Sequence, residues 1–456
     1  MNLEGKKVLV VGLGKTGESV CRFLLDRQAR VQISEGKPSE QISDKIRQWT
    51  QRGVEIEAGG HRRSSFMQAD MIVPSPGVPP IPELTDAMAH GVEVVSEVEL
   101  AFRYIRGRII GITGSNGKST TATLCHEILV KGGRKAFLAG NIGTPLISFV
   151  DSSKDDHIYV TELSSFQLEY AKHFRASVSI FLNITPDHLD WHKSFDDYFS
   201  AKKRLFKNQN RNDTAILNGD DPLVWNLREE IRPHIYGFSR MRAISPGCYI
   251  DKDRIVFSDD GKKTIMNTND VHLPGVHNQE NIMAALCVGH LLHVPSPVIK
   301  TSVEEFEGLE HRLEKVATLE GVTFYNDSKA TNVGAALKSI QSFDQKIILI
   351  LGGRDKGGTF EALKKSIALQ VKKIFLLGEA KEKIAGALKN GVPMSRVSSL
   401  REAVESGFAA ASPGDVVLLA PACTSYDMFA NFEERGKIFK QEVLSLKKRI
   451  AEKGVS

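Results

Sequence analysis

Three times along this chain a β-branched run ends in a glycine-rich loop and passes into a helical pattern. The runs are Lys7-Val8-Leu9-Val10-Val11-Gly12, Arg108-Ile109-Ile110-Gly111-Ile112-Thr113-Gly114 and Lys346-Ile347-Ile348-Leu349-Ile350-Leu351-Gly352-Gly353. Strands that alternate with helices build parallel sheets, and ligands of such sheets gather at the carboxyl ends of the strands. With 456 residues, the pattern predicts an α/β chain of three consecutive domains. They are an N-terminal Rossmann-like domain over 1–104, a central domain built on a phosphate loop over 105–308, and a second Rossmann-like domain over 309–456. Between Cys248 and His272 the pattern turns short and turn-rich (Asp259-Asp260-Gly261), which suggests a hairpin appended to the central domain.

Composition narrows the class of function. Hydrophobic residues make up 41% and charged residues 25% of the chain, as in soluble globular proteins. A net charge of +5 is mild at this length, and the basic residues are spread out apart from a C-terminal stretch (Lys437, Lys440, Lys447, Lys448, Arg449) that reads as a solvated helix face. No nucleic-acid partner is expected, since such binders concentrate their basic residues. The five cysteines are scattered and odd in number, without a C-x-x-C pair, so neither a zinc site nor a disulfide framework is indicated. No apolar run approaches the ~20 residues of a membrane span, and Met1–Lys7 lacks the apolar region of a signal peptide. The expectation is a cytoplasmic chain without a membrane span.

The strongest local signal is Gly111-Ile112-Thr113-Gly114-Ser115-Asn116-Gly117-Lys118-Ser119, just before the helical run Thr120–Val130. Glycines let backbone N–H groups turn inward around phosphate oxygens. Lys118 adds a point charge near the β/γ-phosphates, and the Ser119 hydroxyl is a ligand for Mg²⁺. The strict pattern places a glycine where Ile112 stands. The first domain carries Gly12-Leu13-Gly14-Lys15-Thr16-Gly17 after its strand, with Glu35 about where a ribose-binding acid belongs. Pro74-Ser75-Pro76-Gly77-Val78 follows another strand and fits a rigid turn as well as a substrate contact.

Two further strand ends carry polar groups: Glu162, after Tyr159-Val160-Thr161, and His188, after Phe181–Asp187. Neither is telling alone; their shared position at strand ends makes both candidates. Ser194 with Asp197 reads as a capping box opening a helix. On that helix Phe195, Tyr198, Phe199, Leu205 and Phe206 form one apolar stripe. Lys202 falls on the stripe, while Lys203 and Arg204 lie off it. A lysine there either snorkels to water or is desolvated, with a lowered pKa. A neutral amine can take up CO₂ as a carbamate, an anionic ligand for Mg²⁺.

Several segments together resemble one family. Thr113–Ser119, Gly140-Asn141-Ile142-Gly143, Thr161–Gln167, Pro186-Asp187-His188-Leu189-Asp190, Gly275–Asn281 and His311-Arg312 look like the Mur ligase family, in order and over the whole chain. In the third domain, Asn326–Asn332, Pro421–Phe429 and Asn431–Gly436 are similar to its D-glutamate-adding branch.

The resemblance implies ATP-dependent amide formation through an acyl phosphate, with UDP-N-acetylmuramoyl-L-alanine, D-glutamate and ATP as small-molecule substrates of a monomer. It implies that Thr113, Gly114, Ser115, Asn116, Gly117, Lys118, Ser119, Asn278, Asn281, Arg312 and Asp327 meet ATP. Ser119, Glu162, His188 and a carbamylated Lys202 would hold Mg²⁺, as two ions. Lys15, Thr16, Gly77, Asn141 and His188 would meet the UDP-sugar, and Thr331, Lys356, Ser425 and Phe432 the D-glutamate. Lys118, Lys202, His188 and Lys329 are the expected catalytic residues. Some members place a hydroxyl and then an arginine after the second strand; here Ser34 is followed by Glu35, which leaves the uridine contacts open. Two other readings compete: a folylpolyglutamate synthase-like ligase and an NAD-binding oxidoreductase. The first-domain glycine loop and Asn326–Asn332 speak against the former, and Gly117-Lys118-Ser119 is unexplained by the latter.

Overall fold

The computed structural model describes all residues except 189–190, 260, 272, 390 and 454–456. The expected motif residues Leu189 and Asp190, and the turn and end residues Asp260 and His272, therefore lie outside the described residues. Two compact units are present, residues 1–270 with 280–304, and residues 271–279 with 305–456.

In the first unit two sheets form. The N-terminal sheet has five parallel strands in the spatial order Glu55–Ala58, Arg30–Glu35, Lys7–Val11, Met71–Pro74, Glu93–Val94. This is the Rossmann order, with the first strand at the centre and a crevice where the order reverses. Val8, Val10 and Leu9 of that strand are buried because helices cover both faces, and a strand covered twice is apolar throughout. Gly17 decides how closely the first helix, Lys15–Leu25, docks: a Cβ there would lie 2.0 Å from Gly12 O.

The central sheet has nine strands. Seven run parallel, in the order Ala136–Gly140, Ile158–Glu162, Arg108–Thr113, Val178–Phe181, Thr214–Asn218, His234–Ser239, Gly247–Asp251. Arg254–Asp259 and Gly261–Asn267 then continue it antiparallel. Arg254–Asp259 and Gly261–Asn267 thus form the expected appended hairpin, which Gly247–Asp251 joins to the sheet. Arg254–Asp259 is buried at its four inner positions and exposed at both ends.

The second unit holds a six-stranded sheet in the order Glu314–Leu319, Val322–Asn326, Val416–Leu419, Ile347–Gly352, Val371–Leu377, Met394–Arg396. It is parallel except for its first strand. Ile347–Leu351 is buried at every position, matching its unbroken apolar run. All five cysteines are free and buried.

Candidate active site

Strand order brings the phosphate loop, Glu162 and the His188 segment to one edge of the central sheet. The strand leading into the loop lies between the one ending in Glu162 and the one ending in Phe181; Ile112 is level with Glu162, and Thr113 with Phe181. The loop is fastened to its neighbour by side chains. Ser115 Oγ donates to Thr185 O at 2.9 Å and lies 3.0 Å from Tyr198 OH. Asn183 Oδ1 accepts from Asn116 N at 2.9 Å. Ile112, where the strict pattern has glycine, is a buried strand residue; the turn begins only at Gly114, with φ 153°.

Gly117 is required twice over. Its φ is 88°, a region open to glycine, and a Cβ would lie 2.1 Å from Asn281 Oδ1. The bare glycine lets Asn281 approach the loop. The helix Lys118–Lys131 then starts with Lys118 and the buried Ser119 in its first turn, a terminus suited to anions. Lys118 Nζ donates to Gly114 O at 2.8 Å and Ser115 O at 3.0 Å, so its charge sits directly over the loop.

The helix Phe195–Lys203 opens on Ser194, whose hydroxyl accepts from Asp197 N at 3.1 Å. Asp197 bonds the Ser194 hydroxyl in return. Lys202 is turned inward rather than snorkelling, with 1% exposure. Its Nζ donates to Gly114 O at 2.9 Å and lies 4.7 Å from the Tyr198 ring centre. Burial, then the nearby Lys118 charge, hold its pKa well below the ordinary lysine value. The two neighbours leave the stripe as expected: Lys203 pairs with Glu230, and Arg204 donates to Glu169 O.

Glu162 is buried, and Asn141 Nδ2 donates to its Oε1 at 2.9 Å. Its Oε2 is buried without a hydrogen-bond partner among the described residues. An unpartnered buried carboxylate oxygen is costly, and a divalent cation would satisfy it. His188 has φ 54° and packs edge-on against Phe166, with ring centres 4.9 Å apart. Among the described residues no group of three His, Cys, Asp or Glu side chains could hold a metal ion. The Glu162 carboxylate and the Ser119 hydroxyl are oxygen donors of the kind that suits Mg²⁺.

In the N-terminal domain Lys15 Nζ reaches the Gly140–Gly143 loop and donates to Gly143 O at 2.5 Å. Thr16 follows it in the first helical turn, and Gly77 lies in the turn after Met71–Pro74. Glu35 lies at the end of the second strand, next to the glycine loop. Its carboxylate accepts from Leu13 N at 2.7 Å and Lys37 N at 3.1 Å. One carboxylate oxygen thus braces the glycine loop, while the other accepts from the segment that follows Glu35 itself.

In the second unit Asp327 ends a strand, fully buried beside the Ser339 hydroxyl, and burial raises its pKa. Arg312 acts on it electrostatically, its own Nε buried and without a hydrogen-bond partner among the described residues. Lys329 Nζ lies 5.2 Å from the Phe432 ring centre. Thr331 follows in the same turn, its N–H donating to Lys329 O at 2.8 Å. Ser425 is buried, Lys356 exposed, and Asn278 Nδ2 donates to Pro274 O at 2.7 Å.

One organising residue is absent from the sequence expectations. Arg435 is 1% exposed. It donates to Ser328 Oγ at 2.9 Å, Ser328 O at 2.8 Å, and Cys423 O and Thr424 O, each at 3.2 Å. Burial lowers its pKa to about 10. It clamps the turn carrying Lys329 to the turn carrying Ser425. The signal was available: Arg435 lies on one helical stripe with Phe432 and Phe439, as Lys202 does on its own.

Three family models cover these regions: "Mur ligase MurD-like, N-terminal domain" at residues 6–96, "Mur ligase middle domain" at 112–289 and "Mur ligase, glutamate ligase domain" at 311–423. A protein of Acidobacterium capsulatum named UDP-N-acetylmuramoylalanine–D-glutamate ligase is 45% identical over 98% of this chain and 97% of its own. The chain belongs to the Mur ligase family. A protein of the same name from Geotalea daltonii is 43% identical over 98% of this chain and 99% of its own. The solved UDP-N-acetylmuramate-alanine ligase MurC of Thermotoga maritima shares the fold, with a TM-score of 0.60 at 18% identity over 97% of this chain and all of its own. MurF ligase of the same organism, solved with ADP, has a TM-score of 0.59 at 17% identity over 97% of this chain and 96% of its own. As a Mur ligase the chain is an ATP-dependent enzyme that forms amide bonds. No described helix is long and apolar enough to cross a membrane.

Proposed function

We propose that this enzyme joins D-glutamate to the alanyl carboxylate of UDP-N-acetylmuramoyl-L-alanine, using ATP. The observation that carries the reading is the convergence of Lys118, buried Lys202 and the unpartnered Glu162 oxygen around one phosphate loop. A carboxylate is a poor acyl donor at neutral pH. Transfer of the γ-phosphoryl group makes it an acyl phosphate, which the D-glutamate amine attacks, releasing phosphate. Two anions must meet for this, and fixed positive charge offsets their repulsion. Lys118 and the loop N–H groups bind and orient the phosphates in the reading, with Thr113–Ser119, Asn278, Asn281, Arg312 and Asp327 around the nucleotide.

Bound Mg²⁺, as two ions, would neutralise phosphate charge. Ser119, Glu162, His188 and a carbamate on Lys202 would hold it. The lowered pKa of Lys202 supports the carbamate, because only the neutral amine takes up CO₂. Residues 1–104 would seat the UDP-sugar, through Lys15, Thr16, Gly77, Asn141 and His188. Residues 105–308 would seat ATP. Residues 309–456 would seat D-glutamate through Thr331, Lys356, Ser425 and Phe432, with Lys329 near the reacting carboxylate. The reading is of a cytoplasmic monomer that uses no nucleic acid.

The test is phosphate release from ATP with UDP-N-acetylmuramoyl-L-alanine as acceptor, comparing D-glutamate, L-glutamate and other amino acids. Release that depends on both the UDP-sugar and D-glutamate is the expected result. Release that ignores the amino acid offered would overturn the assignment.

A further inference from the structure

In the second unit the strand Ile347–Gly352 runs into the loop Gly353-Arg354-Asp355-Lys356-Gly357-Gly358. The start of this loop is tied down. Arg354 N donates to Thr424 O and Thr424 N to Arg354 O, both at 3.0 Å, so the loop lies backbone to backbone with the segment that leads into Ser425. The Arg354 guanidinium grips Glu379 through two bonds, at 3.0 and 2.9 Å. Beyond Arg354 the chain has every reason to be loose. Gly357 has φ 85° and open space where a Cβ would be, and successive glycines carry more conformational freedom than any other pair.

Asp355 removes that freedom. Its Oδ1 accepts from Gly358 N at 2.8 Å, closing a turn with Lys356 and Gly357 inside it. Its Oδ2 pairs with Lys383 on the helix Lys381–Ala387. The carboxylate is only 17% exposed, with one oxygen fixed to the turn and the other to a neighbouring element. On the far side Gly358 abuts the helix Val333–Ile340, where a Cβ on the glycine would lie 2.8 Å from Val333 Cγ2. That helix follows directly on Thr331 and Asn332. The turn is thus held between the Thr331 and Ser425 segments. Because Lys383 engages the Asp355 charge, the Lys356 ammonium is left to meet an incoming carboxylate rather than its own neighbour.

We propose that Asp355 is a positioning residue that sets the choice of amino acid, by holding Lys356 where a carboxylate of D-glutamate reaches it and that of the shorter D-aspartate does not. The proposal rests on Lys356 and Ser425 belonging to the D-glutamate site. With one carboxylate held at Ser425, a fixed Lys356 measures the span to the other, and a ligand one methylene shorter loses the charge-assisted bond. An ammonium on a loose glycine loop would follow the shorter ligand, and ordering that loop would weaken binding of the longer one.

Initial rates of phosphate release, with product analysis from equimolar D-glutamate and D-aspartate, test this on the full chain. In Asp355→Ala the KM for D-glutamate should rise about 5–10-fold, with kcat at saturation and the KM for ATP unchanged. The share of D-aspartyl product, minor in wild type, should rise. Asp355→Asn keeps an oxygen that accepts from Gly358 N and should restore most of both. An unchanged KM for D-glutamate in Asp355→Ala overturns the proposal, as does an equal rise in the KM for ATP. So does an unchanged product share, or an Asp355→Asn enzyme no better than Asp355→Ala. Lys356→Ala separates the two possible failures. If it raises the KM for D-glutamate and Asp355→Ala does not, only the positioning role is lost; if it leaves that KM unchanged, Lys356 is not part of the site.

Discussion

Asn141 Nδ2 donates to Glu162 Oε1 at 2.9 Å, and Asn141 N donates to Glu162 O at 3.0 Å. Two bonds from one residue thus fix both the backbone and the carboxylate of Glu162, leaving Oε2 as its available oxygen. The amide orients the acid that a cation would use.

Asn141→Ala should therefore weaken the metal response before anything else. Losing such an orienting partner typically costs 10–100-fold in metal affinity or activity. The Mg²⁺ concentration for half-maximal phosphate release should rise, and the KM for the UDP-sugar with it. The KM for D-glutamate should stay put; a rise there alone would place Asn141 elsewhere in function.

Lys202→Ala should retain the fold and lose most activity. Short carboxylic acids, filling the space of a carbamate, should restore part of it in steady-state assays. Lys203→Ala should be near normal, because Lys203 is paired with Glu230 outside the stripe. Full activity in Lys202→Ala would count against the carbamate. Lys118→Ala gives the comparison, with turnover lowered by roughly two to four powers of ten and no rescue by acids.

Lys356 is exposed on the loop after Ile347–Gly352, and a charge-assisted bond to a D-glutamate carboxylate is its expected use. Lys356→Ala should raise the KM for D-glutamate at least tenfold and the KM for ATP little, in initial-rate measurements over both substrates. Equal rises would remove Lys356 from the amino-acid site.

Glu97 sets a pH dependence of stability. It is fully buried, accepts from Ile147 N at 2.6 Å, and has an Oε2 without a partner among the described residues. Burial raises its pKa to about 7. A carboxyl raised in the native state binds more protons than in the unfolded chain, so its stabilisation is full below about pH 4.5 and is lost as pH rises through 7. Up to ~3 kcal/mol is involved. The stability of wild type relative to Glu97→Gln should fall between pH 5 and pH 8, read from denaturant midpoints. A constant difference would show that Glu97 does not titrate in this window.

What could be read from the sequence was local. The phosphate loop, the Ser194 cap and the inward Lys202 follow from spacing along one segment, which helical periodicity makes visible. The Asp355–Lys383 pair was hidden because it depends on where a neighbouring helix falls. The bond from Leu13 N to Glu35 was hidden for a related reason: a motif gives the position of an acid, and its neighbours are set by how the loops fold. The hairpin of Arg254–Asp259 and Gly261–Asn267 was legible from its turn residues, whereas the parallel pairing of Gly247–Asp251 with His234–Ser239 leaves no tight-turn signal.

The buried cysteines make the chain its own unfolding gauge. Cys21 lies in the first sheet's covering helix, Cys125, Cys248 and Cys287 in the central region, and Cys423 in the loop after Val416–Leu419 of the second unit. Burial pushes the Cys21 and Cys423 thiols up to about 12 and raises those of Cys125 and Cys248 as well. The native chain is thus chemically silent toward thiol reagents. Each alkylation event would timestamp a local opening, and peptide mapping of the modified cysteine would name the region that opened first.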